Sequence, residues 1–370
     1  MKAVIFGVGR MGTAIAYAME QQGFDVVGVD SQPAEHRLRG LVKNYKFVHT
    51  KTKTGYKKVI NDNPDVVISS LPYHQTKQVA EYCISKGVRY CDLGGRVDVS
   101  QEINELALKK ATKPVFTDLG LAPGWVNILA EEGYKRVSGS KDASIEMMVG
   151  GIPAQRYNND TYNNPNYNPL NYIVTWSVDG LINEYRDDCI VLQNGTLKTV
   201  AGMDGLETLD TQLGELEAFY TSGGAAHSIK KMKERGVKNC TYKTLRYPGH
   251  RDFIQWLIRQ CELDDDTLKE LFSKGFDAKD EKDCVIVRAK VVKGRTTWLH
   301  EQVVNADDKF SAMQKSTAFP IASVAALMAE GQFDNRVKQN RSGDIKLPNA
   351  LVYSDIPHDL FNYKLQKLIK

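Results

Sequence analysis

The stretch Gly7-x-Gly9-x-x-Gly12 constrains what this chain can fold into more than any other. An apolar run, Ala3–Phe6, precedes it and reads as a buried strand. A helical pattern follows, and the next apolar run, Val26–Val29, ends on Asp30. Each part has a physical job. Gly7 permits a tight turn, Gly9 lets the backbone approach a diphosphate, and Gly12 lets the helix pack close to the strand. The diphosphate would sit at the helix N-terminus, where free N–H groups and the helix dipole favour negative charge. Asp30, eighteen residues beyond Gly12, is placed to accept from a ribose 2′-hydroxyl. A glycine triplet alone is weak evidence. Strand, glycines, helix and a terminal acid in this order are a strong signal for a dinucleotide. The carboxylate of Asp30 favours NAD, while Arg37 and Arg39 soon after could tolerate the extra phosphate of NADP. The competing reading is a phosphate loop kept only as a tight turn.

The pattern around this motif alternates. Candidate strands at Ala3–Phe6, Val26–Asp30, Lys46–His49, Val66–Ser69, Tyr90–Leu93 and Val115–Asp118 are separated by helical patterns near Thr13–Gln21, Gly55–Asp62, Gln75–Ser85 and Glu102–Ala111. The strands are near-continuous apolar runs, as expected when helices cover both faces. This predicts an α/β fold with a Rossmann-type doubly wound parallel sheet over residues 1–124. Pro123-Gly124 then punctuates the chain, and a helix near Val126–Tyr134 leaves the first domain. Beyond it, Ile145–Val149, Tyr172–Ser177, Ile190–Leu192, Thr241–Arg246, Val285–Val292 and Thr296–Val303 read as strands. Lys293-Gly294-Arg295 reads as a hairpin turn between the last two. A second α/β domain with a largely antiparallel sheet is expected over residues 125–308. Residues 309–370 form a C-terminal segment. In it the apolar stretch Phe319–Ala329 predicts a buried helix returning to the first domain, with Pro320 in its first turn. The Asn- and Tyr-rich Gln155–Asn171 reads as a long loop, either a lid or a surface excursion.

Composition excludes several classes. The chain has 370 residues, 42% of them apolar, and a net charge of only +4, too little to argue for nucleic acid or a membrane surface. No apolar run approaches the ~20 residues that span a bilayer. Cys83, Cys91, Cys189, Cys240, Cys261 and Cys284 are scattered and form no CxxC pair, so no metal site is expected and reduced thiols in a cytoplasm are. The opening on a strand predicts no signal peptide.

In an open parallel sheet, ligands bind beyond the carboxyl ends of the strands. There the sequence places Ser69-Ser70-Leu71-Pro72-Tyr73-His74, Asp92-Leu93-Gly94-Gly95 and Asp118-Leu119-Gly120. Two acids aimed at one crevice push each other's pKa apart, leaving one able to carry a proton near neutrality. Asp92 and Asp118 could equally be ordinary caps of turns or helices. His74 is a candidate only by its place past a strand end. The residues expected to hold the dinucleotide are Gly7, Gly9, Arg10, Met11, Gly12, Asp30, Ser70, Leu71, Pro72, Gly94 and Gly120.

The chain resembles the saccharopine dehydrogenase superfamily, and within it the lysine 6-dehydrogenase group. The resembling stretches run in family order: Gly7–Gly12, Tyr90–Gly95, Thr117–Gly124, Val149–Pro153, Asn168–Tyr172 with Trp176-Ser177, Glu217–Gly224, Thr244–His250, and Phe310–Met313 with Thr317–Pro320. The resemblance implies a nicotinamide-dependent oxidoreductase acting at a carbon–nitrogen bond of an amino acid. One form is oxidative deamination of the ε-amine of L-lysine to the 6-semialdehyde. Another is a saccharopine- or carboxynorspermidine-type enzyme that makes or cleaves a secondary amine. A dinucleotide-binding regulatory protein without turnover is the reading from another class. The resemblance also implies a homodimer and a small-molecule amino-acid substrate.

Such chemistry sets requirements. An alkylammonium has no lone pair with which to stabilise the cation left by hydride loss, so a base must first remove a proton. Asp92, Asp118 and His250 are the candidates for base or relay. The substrate carboxylate needs a cation, best the planar fork of an arginine. Arg246 is the candidate, unless it makes an ordinary surface ion pair. Thr221 and Ser222 could form a polar wall, and Tyr172 and Trp176 could cover the aliphatic stem, unless both aromatics are simply core. The stretch between Pro153 and Asn168 departs from the family pattern, and substrate choice is expected to change there.

Overall fold

The structure, a computed structural model, describes residues 1–137, 141–156, 168, 170–277, 282–334, 337–340, 343–346 and 348–370. The chain forms two compact units, Met1–Ile128 with Ser316–Lys370, and Leu129–Lys315.

In the first unit the elements β1 (Lys2–Phe6), α1 (Arg10–Gln21), β2 (Asp25–Asp30), β3 (Tyr45–His49), α2 (Lys53–Asn61), β4 (Val66–Ser69), α3 (Tyr73–Lys86), β5 (Tyr90–Asp92), α4 (Val97–Lys110) and β6 (Val115–Phe116) follow one another. The six strands form one parallel sheet in the order β3-β2-β1-β4-β5-β6. The order reverses between β1 and β4, and ligands bind outside the strand ends at such a switch point. Local chemistry accounts for the helix boundaries. Thr52 caps α2 by accepting from Gly55 N at 3.2 Å, and Gly87, at φ +63°, closes α3 in the left-handed conformation that glycine tolerates. Val4, Phe6, Val67, Val79, Tyr90 and Val115 belong to the core beneath.

Two strand ends differ from expectation. β6 stops at Phe116 instead of Asp118, and β5 at Asp92 instead of Leu93. Asp118 adopts φ +63°, and its N–H donates to the Asp92 carboxylate at 3.1 Å, not to a strand. Asp92 in turn bends the chain by accepting from Gly94 N at 2.9 Å.

α5 (Trp125–Arg136) follows, and then the elements of the second unit. These are β7 (Ser144–Pro153), α6 (Val178–Arg186), β8 (Cys189–Gln193), β9 (Thr196–Val200), β10 (Glu207–Thr211), β11 (Gly214–Tyr220), α7 (Ser228–Glu234), β12 (Asn239–Arg246), α8 (His250–Arg259), α9 (Asp265–Gly275), β13 (Asp283–Lys293) and β14 (Thr296–Asn305). Eight strands form one sheet in the order β10-β11-β12-β7-β13-β14, with β8 against β12 and β9 against β8. Only β7 and β12 pair in parallel, so the sheet is largely antiparallel as expected. Lys293 pairs with Thr296 across the predicted turn, with Gly294 at φ +56°. Leu181 and Tyr185 of α6, Ile254 and Leu257 of α8, and Leu268 and Phe272 of α9 share one core.

The expected strand Tyr172–Ser177 is irregular chain leading into α6. The Asn168 side chain takes both backbone groups of Tyr172, its Nδ2 donating to the carbonyl at 2.7 Å and its Oδ1 accepting the N–H at 3.4 Å. A strand ladder would need those groups. Ser177 then caps α6, accepting from Gly180 N at 3.1 Å. Most of the expected Gln155–Asn171 loop lies outside the described residues.

The remaining elements are α10 (Ala312–Ala329), β15 (Val337–Asn340), β16 (Gly343–Lys346) and α11 (His358–Ile369). Pro320 sits inside α10 and not in its first turn, which corrects the sequence reading. The helix begins earlier because Asp283 caps it from a distant strand, accepting Ala312 N at 2.6 Å and Met313 N at 2.9 Å. The apolar stretch after Phe319 is buried, and the carbonyl of Ala322 accepts from Gln22 of α1 at 3.1 Å. The tail extends the first sheet: Val115 N donates to the Asn349 carbonyl and Leu351 N to the Val115 carbonyl, each at 2.8 Å.

Candidate functional site

The three glycines of the opening motif do three different things. Gly7 has φ +86°, and a Cβ there would lie 2.7 Å from the Ser70 carbonyl oxygen. A Cβ on Gly12 would lie 1.7 Å from the Gly7 carbonyl oxygen, so only glycine lets α1 start this close to β1. A Cβ on Gly9 would meet nothing nearer than Arg37 Nη1 at 4.0 Å. Gly9 therefore leaves open space where the backbone faces outward. It is the N-cap of α1, no side chain caps that helix, and no acid occupies its first turn. An uncapped helix end above a glycine cradle fits a diphosphate.

Asp30 ends β2 and braces the cradle. One carboxylate oxygen accepts from Val8 N and the other from Gln32 N, both at 2.8 Å. Arg37 Nη1 donates to the Val8 carbonyl at 3.1 Å. A cavity of about 180 Å³ adjoins them, with Phe6, Val29, Leu71 and Val79 as apolar wall and Asp30, Ser31 and Lys51 as polar wall. Leu71 thus lines the same cavity as Asp30. Ser70 N donates to the Phe6 carbonyl at 2.8 Å, Pro72 is the N-cap of α3, and Arg10 and Met11 open α1. Lys51 had no signal in the sequence; it lies near Asp30 only because β2 and β3 are neighbours in the sheet.

Past β5 and β6 the structure brings the two acids together. Asp92 Oδ1 accepts from Gly94 N and Asp118 N, and its Oδ2 accepts from the Tyr90 hydroxyl at 3.0 Å. Asp118 Oδ1 accepts from the Ser100 hydroxyl at 2.6 Å, and the Tyr353 hydroxyl donates to the Asp118 carbonyl at 2.7 Å. Gly94 makes room for this: a Cβ there would lie 2.3 Å from Asp118 Oδ1. Gly120 accepts Trp125 N on its carbonyl at 2.9 Å and so closes the turn before α5. Both acids are buried. Burial pushes the Asp92 carboxyl up to about 6, against three hydrogen bonds that hold it down. Burial pushes Asp118 further, to about 7, and the neighbouring Asp92 charge adds to the rise. Asp92 is therefore both a turn cap and half of an acid pair poised near neutrality. Tyr353, from the far end of the chain, was not foreseen. His74 sits exposed in the first turn of α3, against Tyr73.

A raised carboxyl pKa means that the folded chain binds the proton more tightly than the unfolded chain. Stability contributed by this pair is therefore complete below about pH 4 and is lost as pH rises through 6–7. Asp118→Asn keeps the shape and tolerates the left-handed backbone. The variant should melt several degrees above the parent at pH 8, an advantage that vanishes toward pH 4; a uniform offset across that range would place the proton elsewhere.

The second unit holds the other predicted residues. Arg246, at the end of β12, is 4% exposed. Its Nε donates to the Tyr185 hydroxyl oxygen at 3.2 Å, Nη1 to the Leu245 carbonyl at 2.9 Å, and Nη2 to the Tyr172 hydroxyl oxygen at 3.4 Å. The guanidinium lies 4.7 Å from the Tyr172 ring centroid. This is not the surface ion pair that the sequence left open: the cation is buried and bonded to neutral oxygens. Neighbouring Tyr172, Tyr185 and Glu184 hold its pKa above the ordinary arginine value despite burial. His250 opens α8, fully buried, its Nε2 2.9 Å from the Tyr185 hydroxyl and its ring among Tyr172, Phe219 and Phe276. Burial, with Arg246 adding, holds it neutral, far below the usual histidine range. Tyr185 links Arg246 to His250; nothing in its local sequence marks that role.

Thr221 and Thr244 share a hydrogen bond at 2.8 Å, and the Ser222 hydroxyl donates to the Asn183 carbonyl at 3.3 Å. Tyr172 is core, 1% exposed. Trp176 is partly exposed and covers Gly180 of α6, where a Cβ would lie 2.6 Å from its ring. Among the described residues no cluster of three or more His, Cys, Asp or Glu could hold a metal ion, and no helix is long and apolar enough to cross a membrane. All six cysteines are free.

A doubly wound sheet with an open glycine cradle, followed by a mixed sheet, is the architecture of a two-unit NAD(P)-binding protein. Residues 3–115 match the family described as saccharopine dehydrogenase NADP binding domain, and residues 120–341 that described as saccharopine dehydrogenase C-terminal domain. The chain belongs to the saccharopine dehydrogenase family. It is 26% identical over 238 residues to a fission-yeast (Schizosaccharomyces pombe) saccharopine dehydrogenase [NADP(+), L-glutamate-forming], covering 63% of this chain and 50% of that protein. It is 26% identical over 275 residues to mouse (Mus musculus) mitochondrial alpha-aminoadipic semialdehyde synthase, covering 70% of this chain and 28% of that protein. The chain thus spans half the length of the first relative or less of the second. In fold it is similar to the apo saccharopine dehydrogenase (L-Glu forming) of Saccharomyces cerevisiae, at TM-score 0.71 and 16% identity, over 99% of this chain and 96% of that one.

Proposed function

We propose that this chain is an NAD(P)-dependent oxidoreductase that acts on a carbon–nitrogen bond of an amino acid. The observation that carries the reading is Arg246, a buried cation bonded only to neutral oxygens among the described residues, in a chain whose other unit holds an open dinucleotide cradle. Such a cation suits the carboxylate of a small substrate, which would complete its charge. A bound dinucleotide supplies the hydride acceptor or donor. The glycine loop holds its diphosphate, and Asp30 with the adjoining cavity holds the nucleoside. Lys51 on the cavity wall and Arg37 on the Val8 carbonyl support NADP, and the carboxylate of Asp30 supports NAD. Asp118 and Asp92, ionising near neutrality, take up and hold the proton that the substrate nitrogen must lose. His250, kept neutral and buried, positions Tyr185 and through it Arg246.

The names of the relatives support a secondary amine of the saccharopine type as the substrate. Oxidative deamination of the lysine ε-amine stays beside it, since the same residues serve both. Absorbance of the reduced cofactor separates them. Turnover of L-saccharopine with NADP or NAD, or reductive turnover that requires an amino acid together with a semialdehyde, supports the first. Lysine-dependent reduction without a keto acid supports the second. Tight dinucleotide binding without turnover on any amino acid or secondary amine would overturn the enzymatic reading and leave a binding protein.

A further inference from the structure

Resting on the reading that the acid pair takes the proton of the substrate nitrogen, we propose that Asp118 is the member that carries this proton, that Asp92 stays ionised beside it, and that Ser100, Thr117 and Asn104 are positioning residues that let the proton come and go.

The two carboxylates differ in what meets them. Asp92 Oδ1 accepts two backbone N–H groups, Gly94 N at 2.9 Å and Asp118 N at 3.1 Å, and the Tyr90 hydroxyl donates to Oδ2 at 3.0 Å. An N–H only donates, and donors fixed in the backbone favour the charged carboxylate. A proton on Asp92 would weaken two bonds that cannot be reversed. Asp118 is met by hydroxyls. Ser100 Oγ donates to its Oδ1 at 2.6 Å, and Thr117 Oγ1 donates to its Oδ2 at 3.4 Å. A hydroxyl can turn round, donating to a carboxylate and accepting from a carboxyl. Such partners serve both states of Asp118.

Helix α4 sets this up. Ser100 and Asn104 stand four residues apart on one face of it. Asn104 Nδ2 donates to Thr117 Oγ1 at 3.0 Å, so the Thr117 hydrogen is left for Asp118 Oδ2. Asn104 Oδ1 is buried and has no partner among the described residues. An empty buried acceptor is costly, and a second protonation state gives it a use. When Asp118 takes up a proton on Oδ2, that O–H donates to Thr117 Oγ1. The Thr117 hydroxyl then turns to Asn104, and a half-turn of the amide brings Oδ1 to meet it. One proton is gained at Asp118, none is lost from Thr117 or Asn104, and the chain of bonds reverses with each side chain still in place.

Electrostatics orders the pair in the same sense. Burial, with the Asp92 charge adding, pushes Asp118 up to about 7, and burial pushes Asp92 to about 6. Of the titratable groups beside the pair, Tyr90 of β5 and Tyr353 of the tail are held protonated by burial. As pH falls, Asp118 therefore takes its proton first.

The test is a carbon-13 NMR titration of the intact protein labelled at its aspartate carboxyl carbons, with the pH profile of turnover beside it. Ordinary aspartates titrate near about pH 4, below the pair. The unaltered protein should show two separate transitions, near pH 6 and 7. Neither transition above about pH 5 would overturn the proposal with no variant needed. Asp118→Asn should abolish the upper transition and leave the lower in place. Asp92→Asn should abolish the lower and draw the upper one down, because the neighbouring charge is gone. If Asp92→Asn removed the upper transition instead, the proton would belong to Asp92 and the assignment would fall. Thr117→Val should raise the upper midpoint by about half a pH unit or more, since the ionised state loses a donor, and Thr117→Ser should restore it. Ser100→Ala should raise it further, and Asn104→Leu should act in the same direction through Thr117. The acid limb of kcat/KM should move with these midpoints. An upper midpoint indifferent to both Thr117→Val and Ser100→Ala overturns the positioning roles. The expected titration in protein that turns over no amino acid or secondary amine leaves the acid pair as described and overturns the enzymatic reading instead.

Discussion

Gly9→Val should abolish dinucleotide binding and leave the fold unchanged. Gly9 has φ −82° and ψ −161°, an extended conformation that a β-branched residue adopts without strain. Its Cβ site is empty to 4.0 Å, so the valine methyl groups project into the space above the first turn of α1. That is where a diphosphate must approach the backbone, and the contact cannot be rebuilt from a distance. Fluorescence titration with NADP and NAD should show an affinity loss of at least a hundredfold, about 2.7 kcal/mol. The melting temperature without ligand should stay within a degree or two. Gly12→Ala is the contrasting control. Its Cβ would overlap the Gly7 carbonyl, so α1 must shift off β1, and the melting temperature should fall sharply. If the two variants behaved alike, in either direction, the division of labour among the three glycines would be wrong.

Arg246→Ala should raise the apparent substrate constant roughly a hundredfold and leave dinucleotide affinity unaltered. A bidentate guanidinium–carboxylate contact comprises two charge-assisted hydrogen bonds, together worth about 3 kcal/mol or more when shielded from water. The variant should also lose some stability, because Tyr185, Tyr172 and the Leu245 carbonyl each lose a donor. Arg246→Lys separates charge from shape. It keeps a cation but not the fork, so it should recover part of the affinity and little of the selectivity for a planar carboxylate. Equal losses of substrate and dinucleotide affinity in Arg246→Ala would remove this residue from the substrate site.

Much of the first unit was readable from residues alone. The period of each apolar run, the glycines at fixed spacing and Asp30 are local signals, because a parallel sheet covered on both faces writes itself as separated apolar runs. The second unit was harder. β10 and β11 are partly exposed and carry alternating polar residues, so neither stood out. Tyr172–Ser177 reads as a strand, whereas one asparagine, Asn168, claims the backbone groups of Tyr172 that a strand requires.

The site divides in the same way. Asp92, Asp118 and Arg246 were each nameable, but not what surrounds them. That Asp118 accepts from Ser100 and offers its carbonyl to Tyr353, or that Tyr185 bridges Arg246 and His250, joins residues far apart in the chain.

By itself the sequence determined the nucleotide half of this protein: where the strands lie, where the chain turns on glycine, and which acid follows. Those features depend on neighbours a few residues apart, which patterning and backbone sterics express directly. Tertiary structure alone decided the protonation of the acid pair, the burial of Arg246 against Tyr172 and Tyr185, and the start of α10 on Asp283. Each depends on desolvation or on a partner brought in by folding, and burial is a property of the packed chain, not of any stretch of it.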